Sequence, residues 1–103
     1  MKKQKRMSRF QCSGKSVKII YTKKLLQGNP NILGLCVPLQ NQLYVKITDP
    51  LGYPMPEDTI NQILWHEISH YIMGCMNEGD LYQDEKFIDY MGALLHEIDK
   101  TKK

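Results

Sequence analysis

The sequence predicts an α+β domain in which a small antiparallel β-sheet, of about three strands, packs on a hairpin of two helices. Three observations support this fold class. Residues 42–48 alternate apolar and polar side chains with the two-residue period of a half-buried strand. Residues 57–75 and 80–100 place apolar side chains at steps of three and four, as amphipathic helices do. Between these regions, residues 49–56 contain three prolines and a glycine, which end the strand region.

The other strands of the predicted sheet come earlier in the chain. Residues 16–22 are rich in β-branched and aromatic side chains, and we expect them to form a strand with one face on a core. Residues 32–38 are a second short apolar stretch, separated from residues 42–48 by Leu-Gln-Asn. We expect these two stretches to pair as a β-hairpin.

Both predicted helices carry recognisable N-terminal signals. Pro56 and the acidic side chains of residues 57 and 58 suit the positively polarised start of the first helix, which is expected to end between residues 74 and 79. Asp80, with Gln83 three residues later, matches a capping box. It predicts a second helix that begins at Asp80 and runs to about residue 100.

Length and charge predict one domain with two basic ends. The chain has 103 residues and a net charge of +3, from 14 basic and 11 acidic residues, and the basic excess lies at its ends. We therefore expect a flexible basic arm at residues 1–15, a single domain at 16–100 and a basic tail at 101–103. Contact with nucleic acid would have to use the arm. This is the weaker hypothesis, because no aromatic residue occurs before Phe10. The sequence leaves the oligomeric state open.

The cysteines and the apolar segments predict a compartment. Cys12, Cys36 and Cys75 are odd in number and show no C-x-x-C spacing, which argues against a disulfide framework and against a cysteine-based zinc ribbon. No apolar run is long enough to span a bilayer, and no apolar segment follows the basic residues 1–6 as it would in a signal peptide. We therefore expect a soluble, cytoplasmic protein with free thiols and no membrane partner.

Residues 66–70, His-Glu-Ile-Ser-His, match the pattern H-E-x-x-H and lie in the middle of the first predicted helix. Because residues four apart point the same way on a helix, His66 and His70 can bind one zinc ion. Glu67 is rotated away from both, where it can act as a general base toward a water molecule at the metal. The alternative is a solvated polar face without a metal, which would place three polar groups on an apolar-rich helix for no evident gain.

A catalytic zinc site usually takes a third protein ligand. The second predicted helix offers carboxylates at Asp84, Glu85 and Asp89, and the last two lie four residues apart on one face. One of them could reach the metal while the other orients a histidine ring. Considered alone, these acidic residues would form an ordinary solvated face. Glu78 is a rival third ligand, but it lies only eight residues after His70.

A helix bearing H-E-x-x-H, followed by a second helix bearing E-x-x-x-D, resembles the gluzincin zinc peptidases, the thermolysin-like class, in a reduced form. Among them the chain is most similar to the ImmA/IrrE-type peptidases and other small predicted peptidases of phages and bacteria, which place a β-hairpin just before the zinc helix. Residues 63–72 carry the first half of the resemblance and residues 84–89 the second. With the strand at 43–48, the resemblance covers roughly the last two thirds of the chain.

The resemblance implies a cofactor, Zn²⁺, and a role for each matching residue. The zinc ligands would be His66, His70 and Glu85. Glu67 would be the catalytic base, and Asp89 would hold a ligand histidine from outside the metal shell. The resemblance also implies that the protein hydrolyses peptide bonds in a peptide or protein substrate. This substrate would add as a strand beside an exposed sheet edge at residues 44–48.

Larger members of this class also supply a histidine, tyrosine or arginine that stabilises the tetrahedral intermediate. Tyr53, Tyr71, Tyr82 and Tyr90 are candidates for this role, and the sequence does not choose between them. His96 is instead expected on the surface, near a helix C-terminus. The alternatives to an enzyme are a non-catalytic, zinc-stabilised module that binds a protein or nucleic-acid partner, and an interaction module without a metal.

Overall fold

The computed structural model describes residues 6–76 and 79–103, and these residues form a four-stranded sheet and three α-helices. The chain builds the sheet first and the helices afterwards, so the predicted α+β class is confirmed. The elements, in chain order, are β1 (Arg9–Cys12), β2 (Lys15–Thr22), β3 (Gly34–Val37), a 3₁₀ turn (Pro38–Gln40), β4 (Gln42–Lys46), α1 (Glu57–Cys75), α2 (Gly79–Tyr82) and α3 (Glu85–Thr101).

The sheet is mixed, which corrects the prediction of an antiparallel sheet of about three strands. Its strand order is β1-β2-β4-β3. β1 pairs with β2, and β3 with β4, in antiparallel fashion, but β2 and β4 run parallel. Residues 23–33 connect β2 to β3. They leave a space next to β2, which β4 later fills, so β3 lies at the end of the sheet. The predicted hairpin of residues 32–38 and 42–48 is confirmed as β3 and β4.

β1 lies within residues 1–15, the segment for which the sequence predicts a flexible basic arm. Phe10 and Cys12 pack against the core, and the Phe10 ring meets Tyr71 edge-on with 5.9 Å between ring centroids. These two side chains alternate with polar neighbours and so hold residues 9–12 on the sheet. The structure therefore places the last part of the predicted arm in the domain, while residues 1–5 lie outside the described residues.

One apolar face of α1 packs against the sheet. Its side chains follow the predicted steps of three and four residues and meet side chains of β2 and β4 that share one face of the sheet. This packing leaves another face of α1, which bears His66 and His70, to meet the following helices. The buried cluster consists of Val17, Ile19, Leu43, Val45, Ile60, Leu64, Ile68 and Tyr71.

The second helical segment is interrupted, which corrects the predicted single helix with its N-cap at Asp80. Residues 79–82 form α2, and α3 begins anew at Glu85. The cap of α3 is Asp84, whose backbone is extended and whose carboxylate accepts a hydrogen bond of 3.0 Å from the backbone N–H of Phe87. A side chain that caps a new helix competes with continuation of the helix before it. The cap at Asp84 therefore separates α3 from α2 and places Glu85 in the first turn of α3.

α3 rests on α1 through its face that bears Ile88, Gly92 and His96, all of them buried. The helices approach closely at Gly92, where an added Cβ would lie 3.0 Å from Cα of His66. Because position 92 has no side chain, α3 can lie close to α1, next to its histidines. Among the described residues, no helix combines the length and the apolar composition that crossing a lipid bilayer would need.

Candidate metal centre

Two histidines of α1 and the first carboxylate of α3 converge. His66 and His70 lie one helical turn apart, with 5.0 Å between ring centroids. The carboxylate oxygens of Glu85 lie 3.2 Å from Nε2 of His66 and 3.3 Å from Nε2 of His70. One potential ligand atom from each residue lies within 4.8 Å of the others, a spacing that suits coordination of a single ion. The structure therefore brings together the three residues that the sequence assigns to the metal.

The second ring nitrogen of each histidine is held by an oxygen acceptor. Nδ1 of His66 lies 2.8 Å from Oδ1 of Asp89, one helical turn after Glu85. Nδ1 of His70 lies 2.7 Å from the carbonyl oxygen of Tyr82 in α2. Because a carbonyl oxygen can only accept, a neutral His70 carries its proton on Nδ1 and presents an unprotonated Nε2 toward Glu85. Rings held in this way are oriented as metal ligands, and two imidazoles with one carboxylate are a donor set that fits zinc.

The surroundings of His70 favour the neutral ring that a metal ligand requires. Burial lowers the pKa of His70, and attraction from the Glu85 carboxylate opposes this shift only in part. A lowered pKa means that the ring loses its proton at a lower pH than an exposed histidine does. At neutral pH, His70 is therefore able to offer its Nε2 lone pair to a metal.

Glu67 is buried where α1 faces β3. Its side chain packs on Gly34 so closely that a Cβ at position 34 would lie 2.7 Å from Oε2 of Glu67. Burial, together with the negative charge of Glu85, raises the pKa of Glu67 to about 8. A carboxyl group with this pKa exchanges its proton near neutral pH, which is the property required of a general acid or base.

A cavity of about 790 Å³ opens beside these side chains. α1 contributes His66, Glu67 and His70 to its wall, and α3 contributes Glu85 and Asp89. Another part of the wall is formed by residues 31–36, which include the first three residues of β3. The imidazoles and carboxylates therefore face a space large enough for a segment of a bound ligand.

The strand at the cavity is β3, which corrects the sheet edge predicted at residues 44–48. Most of those residues belong to β4, which is hydrogen-bonded to β2 on one side and to β3 on the other. Within the described residues, β3 is a terminal strand that pairs with β4 only. Gly34, Leu35 and Cys36 of this terminal strand line the cavity. Alternation of side chains identifies a strand, but it does not show which neighbours that strand will have.

Of the four tyrosines that the sequence leaves as candidates, all of them described, Tyr82 alone lines the cavity. Its ring lies 5.1 Å from the His70 ring between centroids. Burial raises the pKa of Tyr82 to about 12, so the phenol keeps its proton at neutral pH. Tyr71 is buried in the core, and Tyr53 and Tyr90 are exposed. The structure thus brings one tyrosine to the candidate metal centre and keeps the other three away from it.

His96 is buried, which corrects the expectation that it lies on the surface. It occupies the face of α3 that meets α1, and its Nε2 lies 3.4 Å from Oδ1 of Asp58 near the start of α1. His96 lines the same cavity two helical turns beyond Asp89 but does not belong to the metal-binding group. Glu78, the rival third ligand, lies outside the described residues.

Sequence reasoning missed three contributions to the site. Gly34 and Gly92 permit the close approaches of β3 to Glu67 and of α3 to α1. An isolated glycine in a strand or a helix is a signal of close packing, so both could have been flagged. The third contribution is the backbone carbonyl of Tyr82, for which a sequence carries no signal, because every residue has one.

Comparisons of the chain with known protein families, with curated proteins and with solved structures give no significant match. The resemblance to gluzincin peptidases therefore rests on the two motifs alone. Any functional conclusion has to be argued from the chemistry of the site.

Proposed function

We propose that this chain is a zinc-dependent peptidase. The observation that carries the proposal is the convergence of His66, His70 and Glu85, with both Nδ1 atoms held by oxygen acceptors, next to a buried Glu67 and a cavity. Each part alone has an ordinary structural explanation. Together they supply ligands, ligand orientation, a proton acceptor and room for a substrate, which are the parts that hydrolysis needs.

Zinc would be held by Nε2 of His66, Nε2 of His70 and the carboxylate of Glu85. When bound, zinc lowers the pKa of water and polarises a carbonyl group. Asp89 and the carbonyl of Tyr82 act behind the ligands, since they keep the two imidazoles in the orientation that presents Nε2.

Glu67 accepts a proton from the attacking water and passes it to the leaving amine. Its burial supports this role, since a carboxyl group with a pKa of about 8 in the metal-free protein binds and releases protons near neutral pH. Packing against Gly34 restricts the side chain to the space between α1 and β3. The base is thereby held beside the strand along which a substrate would lie.

The substrate is an extended segment of a peptide or protein that adds to the outer edge of β3. A terminal strand offers unpaired backbone N–H and C=O groups, and an added strand satisfies them. Gly34, Leu35 and Cys36 of β3 line the cavity that the metal-binding residues also line. A peptide bond in such an added strand would pass close to the base and the metal ligands.

The alternative is a zinc-stabilised binding module without catalysis. Structural zinc sites usually have four protein ligands and are closed to solvent, whereas catalytic sites leave one position open. The three-residue group of the described residues and its cavity therefore favour the enzyme. The two functions differ in one requirement, because only the enzyme needs Glu67.

The test begins with the metal content of the purified protein by elemental analysis. We expect about one zinc ion per chain, lost in a double variant carrying His66→Ala and His70→Ala and retained in Glu67→Gln. Glu97→Gln, an exposed carboxylate of α3, is the matched control for loss of a negative charge. Absence of zinc from the parent, after incubation with zinc, would exclude the proposed centre.

Activity is then measured on a library of unstructured peptides. We expect the parent and Glu97→Gln to cleave, and Glu67→Gln to lose activity by a factor of at least about 100 while it keeps its zinc. If Glu67→Gln cleaves as fast as the parent, the mechanism is wrong. A zinc-containing parent that cleaves no peptide would favour the binding module.

A further inference from the structure

Two of the three thiols lie in contact across the domain. Cys12 is the last residue of β1, and Cys75 is the last residue of α1. Their sulfur atoms are 3.5 Å apart, with the Cys12 thiol donating a hydrogen bond to Cys75, and both side chains are half-buried. The sequence predicts free, unpaired thiols, and its spacing could not reveal this contact, because the two residues are 63 positions apart.

We propose that Cys12 and Cys75 form an oxidisable dithiol, which closes to a disulfide bond between β1 and the C-terminal end of α1. This inference goes beyond the proposed peptidase and does not rest on it. It assigns a covalent modification to two residues that lie outside the metal centre.

The geometry requires only a small movement. A disulfide bond is about 2.0 Å long, so the two sulfur atoms have to approach by roughly 1.5 Å. Both residues occupy the ends of their elements, and β1 is a four-residue strand that pairs with β2 only, within the described chain. Terminal positions and an edge strand adjust by this amount more easily than the middle of a packed element does.

A low-molecular-weight disulfide such as oxidised glutathione is a suitable oxidant. The Cys75 thiolate attacks one sulfur atom of the oxidant, forms a mixed disulfide and expels one glutathione thiolate. The Cys12 thiolate then attacks the sulfur of Cys75 and expels the second glutathione. Two protein thiols are oxidised, one disulfide is reduced to two thiols, and the two protons pass to the released glutathione.

The resting state of the pair is consistent with this order of attack. Burial raises the pKa of Cys12, and the hydrogen bond to Cys75 raises it further. Because Cys12 donates the hydrogen bond to Cys75 in the resting structure, we assign it the role of the second, resolving thiol. Cys36 lies in β3, where its thiol contacts Tyr82, and it interacts with Cys75 only electrostatically. It is the natural control.

The bond would stabilise the fold by restricting the unfolded chain. It would close a loop that runs from β1 through the whole sheet to the end of α1, and long loops lose the most conformational entropy in the unfolded state. We expect the melting temperature to rise on oxidation by on the order of 10 °C and to return on reduction.

The experiment oxidises the folded, full-length protein with excess oxidised glutathione in the presence of a metal chelator. Remaining thiols are alkylated after denaturation, and the products are analysed by mass spectrometry and peptide mapping. The parent and Cys36→Ser should each lose two hydrogen atoms, with Cys12 linked to Cys75 and the melting temperature raised. Cys12→Ser and Cys75→Ser should form no internal bond.

Two results would overturn the proposal: a bond that involves Cys36, or glutathione adducts without an internal bond. A Cys12–Cys75 bond that leaves the melting temperature unchanged would contradict only the expected stabilisation. The parent and Cys36→Ser decide the question even if a serine at position 12 or 75 prevents folding. Because a chelator is present throughout, the parent and the variants are compared in the same zinc-free state.

Discussion

Two faces of α1 are buried to a similar depth but differ in chemistry. The face on the sheet carries Ile60, Leu64 and Ile68, of which no more than 4 % is exposed. The face toward β3 and the two following helices carries Glu67 and His70, of which 7 % and 9 % are exposed. Apolar groups need only a close fit, whereas each buried polar group needs a partner to offset its lost hydration.

The polar face meets this requirement in a particular way. The Nδ1 atom of each histidine has an oxygen acceptor. Both Nε2 atoms lie close to the carboxylate of Glu85, and the negative charge of this carboxylate also acts on Glu67. A cation would be a common partner for all these groups. The comparison separates a face that stabilises the fold from a face for which we propose a metal-binding role.

The largest expected effect distinguishes the two faces by stability. Leu64→Ala removes a fully packed side chain from the sheet face and should lower the free energy of unfolding by about 2–5 kcal/mol. His66→Ala, on the polar face, should lower the free energy of unfolding of the zinc-free protein by less than about 1 kcal/mol. Removal of the imidazole leaves room for water to hydrate Glu85 in its place. Urea unfolding with a chelator present measures both. Equal losses would contradict the division into a structural and a functional face.

A smaller effect depends on pH and concerns Glu67. Its pKa is about 8 in the folded protein against an ordinary value of 4.5, so between these values the unfolded chain releases the proton while the folded protein retains it. The contribution of Glu67 to stability is therefore fully present below pH 4.5 and is lost as the pH rises toward 8.

In zinc-free protein, Glu67→Gln should remove this dependence. The stability of the variant minus that of the parent should therefore be about 4 kcal/mol larger at pH 8 than at pH 4.5. Unfolding free energies of both proteins at the two pH values test it. If the difference between them does not change with pH, then Glu67 is not held neutral by burial.

The smallest expected effect concerns the approach of α3 to α1. Gly92→Ala places a Cβ 3.0 Å from Cα of His66, and since backbone cannot move aside as a side chain does, we expect a loss of about 2 kcal/mol and weaker zinc binding. Gly74→Ala is the matched control. Its Cβ would lie 3.4 Å from the Tyr82 ring, an ordinary contact, so the better helix propensity of alanine should make it neutral or slightly stabilising.

Thermal unfolding and zinc titration compare the two glycine variants. If both tolerate alanine equally, the close approach at Gly92 does not hold the metal ligands of the two helices together.

Local features of this protein could be predicted from its sequence. α1 and the hairpin of β3 and β4 follow from side-chain periods of 3.6 and two residues, which short stretches of chain contain in full. The alignment of His66 and His70 is equally local, because the helix itself sets the direction of residues four apart. Glu85 and Asp89 could be proposed as their partners, since they too share one face of a helix.

The remaining features depend on contacts between distant parts of the chain. β2 and β4 pair in parallel, β3 is a terminal strand beside the cavity, and Cys12 contacts Cys75. No short stretch of the sequence contains a signal for any of these three arrangements. The sequence does not reveal the break at Asp84, because Asp80 offers an equally good capping signal and the structure uses Asp84.

Periodicity and spacing therefore determine which residues share a face, because backbone geometry fixes that within a few residues. Tertiary packing determines which faces meet. It brings Glu67 against Gly34, places the carbonyl of Tyr82 behind His70 and sets Glu85 beside both imidazoles. These contacts reflect the balance of burial, strand pairing and close approach over the whole domain, and a linear pattern does not contain that balance.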